Sequence, residues 1–267
     1  MRPLRVVISI VALIGVVGVA AILTSRYFLT KESDVLEVED VTCDIPANVR
    51  KLIDAYPGIV SSYRDNHIFF SDGDSLVYDD GVAKGYIESM DNADIEDMIC
   101  QEYRKDSIPQ YLEDVGRSRC DAFFKKVYGS TESKARANLV PVEWFGGKVM
   151  FTSVNEADVR LKEVAEELSA HPELIKYLTG ASTFYWRKVR GADRMSAHSY
   201  GIAIDINVNM SDYWLWANKN VTETDVIEYR NRIPLEIVEV FEKHGFIWGG
   251  RWYHYDTMHF EFRPELL

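Results

Sequence analysis

Apolar and polar positions along this chain change period several times, and each change marks an element. From Gly201 the residues alternate: Ile202, Ile204 and Ile206 share one face of an extended strand, and Gly201, Ala203 and Asp205 share the other. The alternation returns near the C-terminus, where Met258, Phe260 and Phe262 oppose His259 and Glu261. Both stretches read as inner strands of a half-buried antiparallel sheet. Between them Ile237, Val238, Val240 and Phe241 recur at helical spacing behind Pro234, with Gly245 closing the helix after His244. Ala157, Val159, Leu161, Val164, Ala165 and Leu168 predict a second helix, capped by Asn155 and running to about Ala170. Residues 172–178 predict a further helical turn ended by Gly180, and residues 142–144 and 149–151 a hairpin about Gly146-Gly147. Residues 183–187 are β-prone and predict a strand that leads into the Ser196 to Asp205 stretch.

The first half has a different texture. Residues 49–56 predict a short amphipathic helix stopped by Pro57-Gly58. Residues 67–70 and 76–78 predict a hairpin about Asp72-Gly73, and residues 95–103 and 119–128 carry helical spacing. The acidic cluster from Asp72 to Asp80 lacks the spacing of a calcium-binding loop and reads as solvated turns. Together these elements predict an α+β fold in which a small antiparallel sheet is flanked by helices. Residues 141–267 read as the catalytic domain and residues 49–140 as an α+β region that caps it.

Residues 6–23 form an uncharged apolar run behind Arg2 and Arg5, close to the ~20 residues that span a bilayer. A cleaved signal is the rival, with Val19-Ala20-Ala21 as its small-residue site; the run continues through Ile22-Leu23, which favours an uncleaved transmembrane helix. Residues 1–26 are therefore expected to be an anchor or signal and residues 27–48 a tether. The remainder is expected to lie outside the membrane, attached to it through the N-terminal helix. A formal net charge of −12 and the lack of any lysine-arginine block argue against nucleic acid as a partner. Cys43, Cys100 and Cys120 are too few and too far from the histidines for a cysteine-rich zinc site; one disulfide and three reduced thiols both remain open.

If the two alternating strands are neighbours, His198, Asp205 and His259 converge. Two imidazoles and a carboxylate leave an open coordination position, as a catalytic zinc requires. Arg187, upstream of His198, can grip a carboxylate through two parallel hydrogen bonds. Arg190 and Arg194 are further candidates. Ser196 is placed to hydrogen-bond substrate, and Trp248, Trp252, Tyr253 and Tyr255 offer apolar surface for substrate methyl groups. His254 reads as a supporting group or an oxyanion donor, and Glu261 as a partner for a ligand imidazole. No serine or cysteine has a convincing triad around it.

The pattern SxHxxGxAxD at Ser196 to Asp205, followed by WGGxW at Trp248 to Trp252 and DxMHFE at Asp256 to Glu261, resembles the VanY-like D-alanyl-D-alanine carboxypeptidases. These are zinc peptidases of the Hedgehog-like DD-peptidase fold that cut bacterial cell-wall peptides. The resemblance implies His198, Asp205 and His259 as zinc ligands, Asp256 as catalytic base, and a peptidoglycan stem peptide as substrate. Many relatives place Glu where this chain has Asp256. Three other activities stay open at this level: an L-alanyl-D-glutamate endopeptidase, a D-Ala-D-Ala dipeptidase, and a zinc-containing module that binds peptidoglycan without turnover.

Overall fold

The structure, a computed structural model, describes residues 45–189 and 191–267. The apolar run, most of the tether, Cys43 and Arg190 lie outside the described residues. Among those described, no helix is long and apolar enough to cross a membrane.

Helix α1 (Ala47–Ala55) buries Val49 and Leu52 and ends before Pro57, which cannot continue it. A three-stranded antiparallel sheet follows: β1 (Val60–Arg64), β2 (His67–Phe70) and β3 (Ser75–Val77). The sequence pattern predicts only the β2–β3 hairpin. Strand β1 joins it through Asp65 and Asn66, both at positive φ (50° and 60°), the backbone that a two-residue hairpin turn needs. Helices α2 (Tyr86–Asp91), α3 (Ile95–Ile99), α4 (Asp121–Tyr128) and α5 (Glu132–Ala137) come next. α3 stops at Ile99, short of the expected Tyr103.

Strands β4 (Leu139–Trp144) and β5 (Gly147–Thr152) form the expected hairpin. Helix α6 (Ala157–Ser169) turns Leu161, Val164 and Leu168 into the core. Its start departs from expectation: Asn155 sits at φ 56° and its amide donates to the Ala55 carbonyl at 2.8 Å, so it ties α6 to α1 instead of capping the helix. A short helix α7 (Ile175–Leu178) follows. Residues 183–187 form no strand; only the single bridges Ser182 to Asp205 and Lys188 to Met195 hold this stretch, and its other backbone groups serve the site described below.

The second three-stranded sheet has the order β6 (Ala203–Asp205), β8 (His259–Phe262), β7 (Phe246–Trp248). Its register pairs Asp205 with His259 and Ala203 with Glu261. Ile202, Ile204, Ile206 and Phe260 turn to the buried side, where Phe260 stacks on Phe241 of α9 (Leu235–Lys243) with ring centroids 3.9 Å apart. A short helix α8 (Trp214–Ala217) and an irregular segment lie between β6 and α9.

One hydrophobic core runs from Val49 to Leu266. α1 belongs to it, and its C-terminal Tyr56 donates to Glu265 at 3.1 Å. Residue 140 falls inside β4, so the chain passes from the first half to the second within a strand. A smaller cluster of Trp214, Ile227, Tyr253 and Tyr255 lies under the irregular segment.

Candidate active site

A cleft of about 550 Å³ opens over the polar face of the β6–β8 pair. On its floor His198, Asp205 and His259 each offer one ligand atom, and the three atoms lie within 4.8 Å of one another. Each is delivered by a local feature. His198 stands on a 3-10 turn (Ala197–Tyr200) that Gly201 ends at φ 69°. A Cβ on Gly201 would lie 2.4 Å from Leu139 Cδ2, so this position accepts nothing larger. Asp205 and His259 are Cα partners across β6 and β8.

The imidazoles are oriented from behind. His198 Nδ1 donates to the Thr183 carbonyl, which leaves Nε2 turned to Asp205 Oδ1 at 3.2 Å. His259 Nε2 faces Glu261 Oε2 at 3.1 Å and its Nδ1 faces Asp205 Oδ1 at 2.9 Å. Glu261 is fully buried and ionised, gripped by Arg119 through two contacts of 2.8 and 2.6 Å and by Arg263 at 3.2 Å. A carboxylate so held only accepts, so Nε2 keeps its proton and Nδ1 is the nitrogen left for a metal.

These three groups could hold a divalent cation. Burial works against a charge on Asp205, yet the two imidazoles hold its carboxyl well below the usual carboxylate range. Burial likewise works to lower His259, but Asp205 and Glu261 hold its proton up to about 10. A positive charge is thus strongly stabilised where the three donor atoms meet, and imidazole nitrogen with one carboxylate oxygen suits zinc.

Asp256 lies beside this group. Its Oδ1 is buried with no hydrogen-bond partner among the described residues, and burial together with the charge of Asp205 pushes its carboxyl up to about 7. The segment that carries it is pinned by a bridge to Tyr213 and by its amide donating to Gly249 at 3.0 Å. A Cβ on Gly249 would meet the Asp256 carbonyl at 2.5 Å, so the WGG turn is packed directly against the acid's backbone.

Residues 190–262 match the D-alanyl-D-alanine carboxypeptidase family. No curated protein and no solved structure matches the chain. The matched segment contains His198, Asp205, His259 and Asp256; Arg187 lies three residues ahead of it.

The other anticipated residues divide. Arg187 lines the cleft, is exposed, and forms no ion pair among the described residues; the nearby Asp193 pairs with Lys188. Ser196 and Trp252 also line the cleft. The Trp252 indole N–H donates to Val115 at 2.6 Å, so the ring offers the cleft only its apolar surface, 5.4 Å from the His259 ring. Trp248, Tyr253 and Tyr255 are buried in the two cores away from the cleft. Arg194 lines the cleft but is held by Asp91 at 2.6 Å, and burial with the charges of Arg119 and Arg117 pulls it down to about 10.

One wall comes from outside the matched segment. Asp114, Arg117 and Arg119 reach the site on a loop whose Leu112 is at φ 59° and whose Gly116 is at φ 93°. A bulky residue in the left-handed region is strained, and such strain gathers at functional sites. A Cβ on Gly116 would lie 2.3 Å from Ile247 Cδ1, so the loop packs directly on β7. Asp114 accepts from Tyr86 and from His254 Nδ1 at 2.6 Å, and Arg117 bridges Asp114 and Glu223. The hydrophobic pattern does not announce this loop. Its signal is the Gly116 between two charged positions, which reads as an ordinary connection before α4.

Proposed function

We propose that this chain is a zinc-dependent metallopeptidase that hydrolyses peptide bonds of peptidoglycan stem peptides, acting as a D-alanyl-D-alanine carboxypeptidase. The observation that carries the reading is the meeting of His198, Asp205 and His259 beside the buried, unpartnered Oδ1 of Asp256. The family match over residues 190–262 supports the peptidase chemistry.

His198 through Nε2, His259 through Nδ1 and one Asp205 oxygen would hold the ion. Bound there, zinc supplies Lewis acidity, which polarises a carbonyl and brings the pKa of a water toward ~7. Asp256 takes the proton of the attacking water on its free Oδ1 and passes it to the departing amine nitrogen. Having no hydrogen-bond partner, that oxygen has no bond to break before it accepts. Asp205 adds negative charge to the centre, which strengthens the nucleophile relative to a neutral donor set. Arg187, free of any carboxylate, grips the C-terminal carboxylate of the substrate, and the Trp252 ring gives its methyl group an apolar surface.

A free arginine at the cleft favours an enzyme that reads the peptide's end over one that cuts internally, and a buried base without a partner favours turnover over binding alone. With residues 6–23 as an anchor, the cleft would stand outside the membrane, where its substrate is. The test is mass spectrometry of purified muropeptides incubated with the protein. The proposal expects loss of one terminal alanine from pentapeptide stems, stopped by a chelator. Release of a dipeptide or an internal cut would replace the assigned activity with another of the same chemistry, and absence of any product would refute the enzyme reading.

A further inference from the structure

Arg117 is nearly buried, lines the cleft, and is held by two carboxylates of unlike character. Asp114 is permanent: almost wholly enclosed, it accepts from Tyr86, from His254 Nδ1 and from the His254 backbone amide. Glu223 is different. It stands on the irregular segment between α8 and α9 and its side chain is 34% exposed. Its two oxygens meet Nη1 at 2.9 Å and Nη2 at 3.1 Å, the fork geometry by which an arginine grips a ligand carboxylate. Among the described residues its carboxylate makes no other hydrogen bond.

The fit is incomplete at one point. His254 also lines the cleft and is 1% exposed, yet its Nε2 has no partner among the described residues. The nearest carboxylate oxygen is Glu223 Oε2 at 3.7 Å, too long for a hydrogen bond. A carboxylate seated slightly deeper would satisfy both the Arg117 fork and His254 Nε2.

We propose that Arg117 and His254 form a carboxylate-binding subsite of the cleft, which Glu223 fills as a resident stand-in until a second carboxylate of the peptide substrate displaces it. This rests on the reading of the cleft as a peptidase site, with Arg187 taking the terminal carboxylate. Exchange of one carboxylate for another keeps Arg117 compensated throughout, whereas a neutral group in that place would leave a buried guanidinium under-paired. The subsite therefore selects stem peptides that carry a free acid along the chain over those in which that acid is amidated.

The test uses calorimetric binding to the full chain in an Asp256→Asn background, where hydrolysis is slowed. The probes are two peptides ending in D-Ala-D-Ala, identical except that an internal glutamyl carboxylate is free in one and amidated in the other. The free acid binds more tightly, and Glu223→Gln, by removing the competitor, widens that preference about tenfold, the scale of one charged hydrogen-bonded pair. Arg117→Lys, which keeps the charge and loses the fork, narrows it. An unchanged or smaller preference in Glu223→Gln would overturn the subsite. Hydrolysis by Glu223→Gln with Asp256 intact separates the two claims. Cleavage with no carboxylate preference sinks the subsite and leaves the peptidase; a binding preference with no cleavage keeps the subsite and sinks the peptidase.

Discussion

Arg119 and Glu261 form a buried two-pronged ion pair, with contacts of 2.8 and 2.6 Å, and the same Glu261 carboxylate holds Nε2 of His259 at 3.1 Å. An arginine from the loop before α4 thereby fixes the orientation of His259 on β8. Arg119→Ala leaves a buried carboxylate with Arg263 as its remaining cation, and loss of one partner of such a pair costs about 3–5 kcal/mol. Loosened support for His259 should also weaken zinc by about 10–100-fold, as read by competition with a chromophoric chelator. Lower stability with unchanged zinc affinity would make Arg119 a packing residue and nothing more.

Arg187 gives a prediction specific to the substrate's end. Arg187→Ala should impair hydrolysis of a free-acid D-Ala-D-Ala peptide far more than hydrolysis of its C-terminal amide. The difference in kcat/KM should reach one to two powers of ten, because a charged hydrogen bond contributes roughly 1.5–3 kcal/mol. Equal losses on both substrates would assign the terminal carboxylate to another group.

Asp114 should shape the acid limb of stability. Burial alone would raise its carboxyl, but Arg117, His254 and Tyr86 outweigh burial and hold it well below the usual carboxylate range. A depressed acid contributes stability that is complete above its unfolded value, near 3.9, and is lost as pH falls through its folded value. Urea unfolding should show Asp114→Asn less stable than the parent chain by on the order of 2–3 kcal/mol at pH 7, with the gap closing below about pH 4. A gap that stays constant down to pH 3 would mean that the charge of Asp114 is not what it contributes.

How far the sequence reached can be judged residue by residue. The alternation at Ile202, Ile204, Ile206 and at Phe260, Phe262 implied two strands with apolar backs, and their pairing brings Asp205 opposite His259. Period alone could not set the neighbouring stretch: residues 183–187 are β-prone, yet their backbone is spent on His198 and Ser199, with the Thr183 carbonyl accepting from His198 Nδ1. Asn155 suits a cap by residue type, but it sits at φ 56°, outside the extended backbone a cap requires, while its side-chain amide donates to the Ala55 carbonyl. Arg117, Arg119 and Asp114 escaped notice because their meaning depends on partners more than a hundred residues away, Glu223, Glu261 and His254, and no local period records such a pairing.

The central claim is that His198, Asp205 and His259 hold one catalytic zinc that works with Asp256. It is tested most directly by titrating zinc into chelator-stripped protein while following release of D-alanine from a D-Ala-D-Ala peptide. Activity should rise from near zero and saturate at one zinc per chain. Asp256→Asn should bind the same single zinc and turn over about 10²–10⁴-fold more slowly, the usual contribution of a positioned proton carrier. Full hydrolysis by the metal-free protein, or turnover by zinc-loaded Asp256→Asn that equals the parent's, would contradict the account.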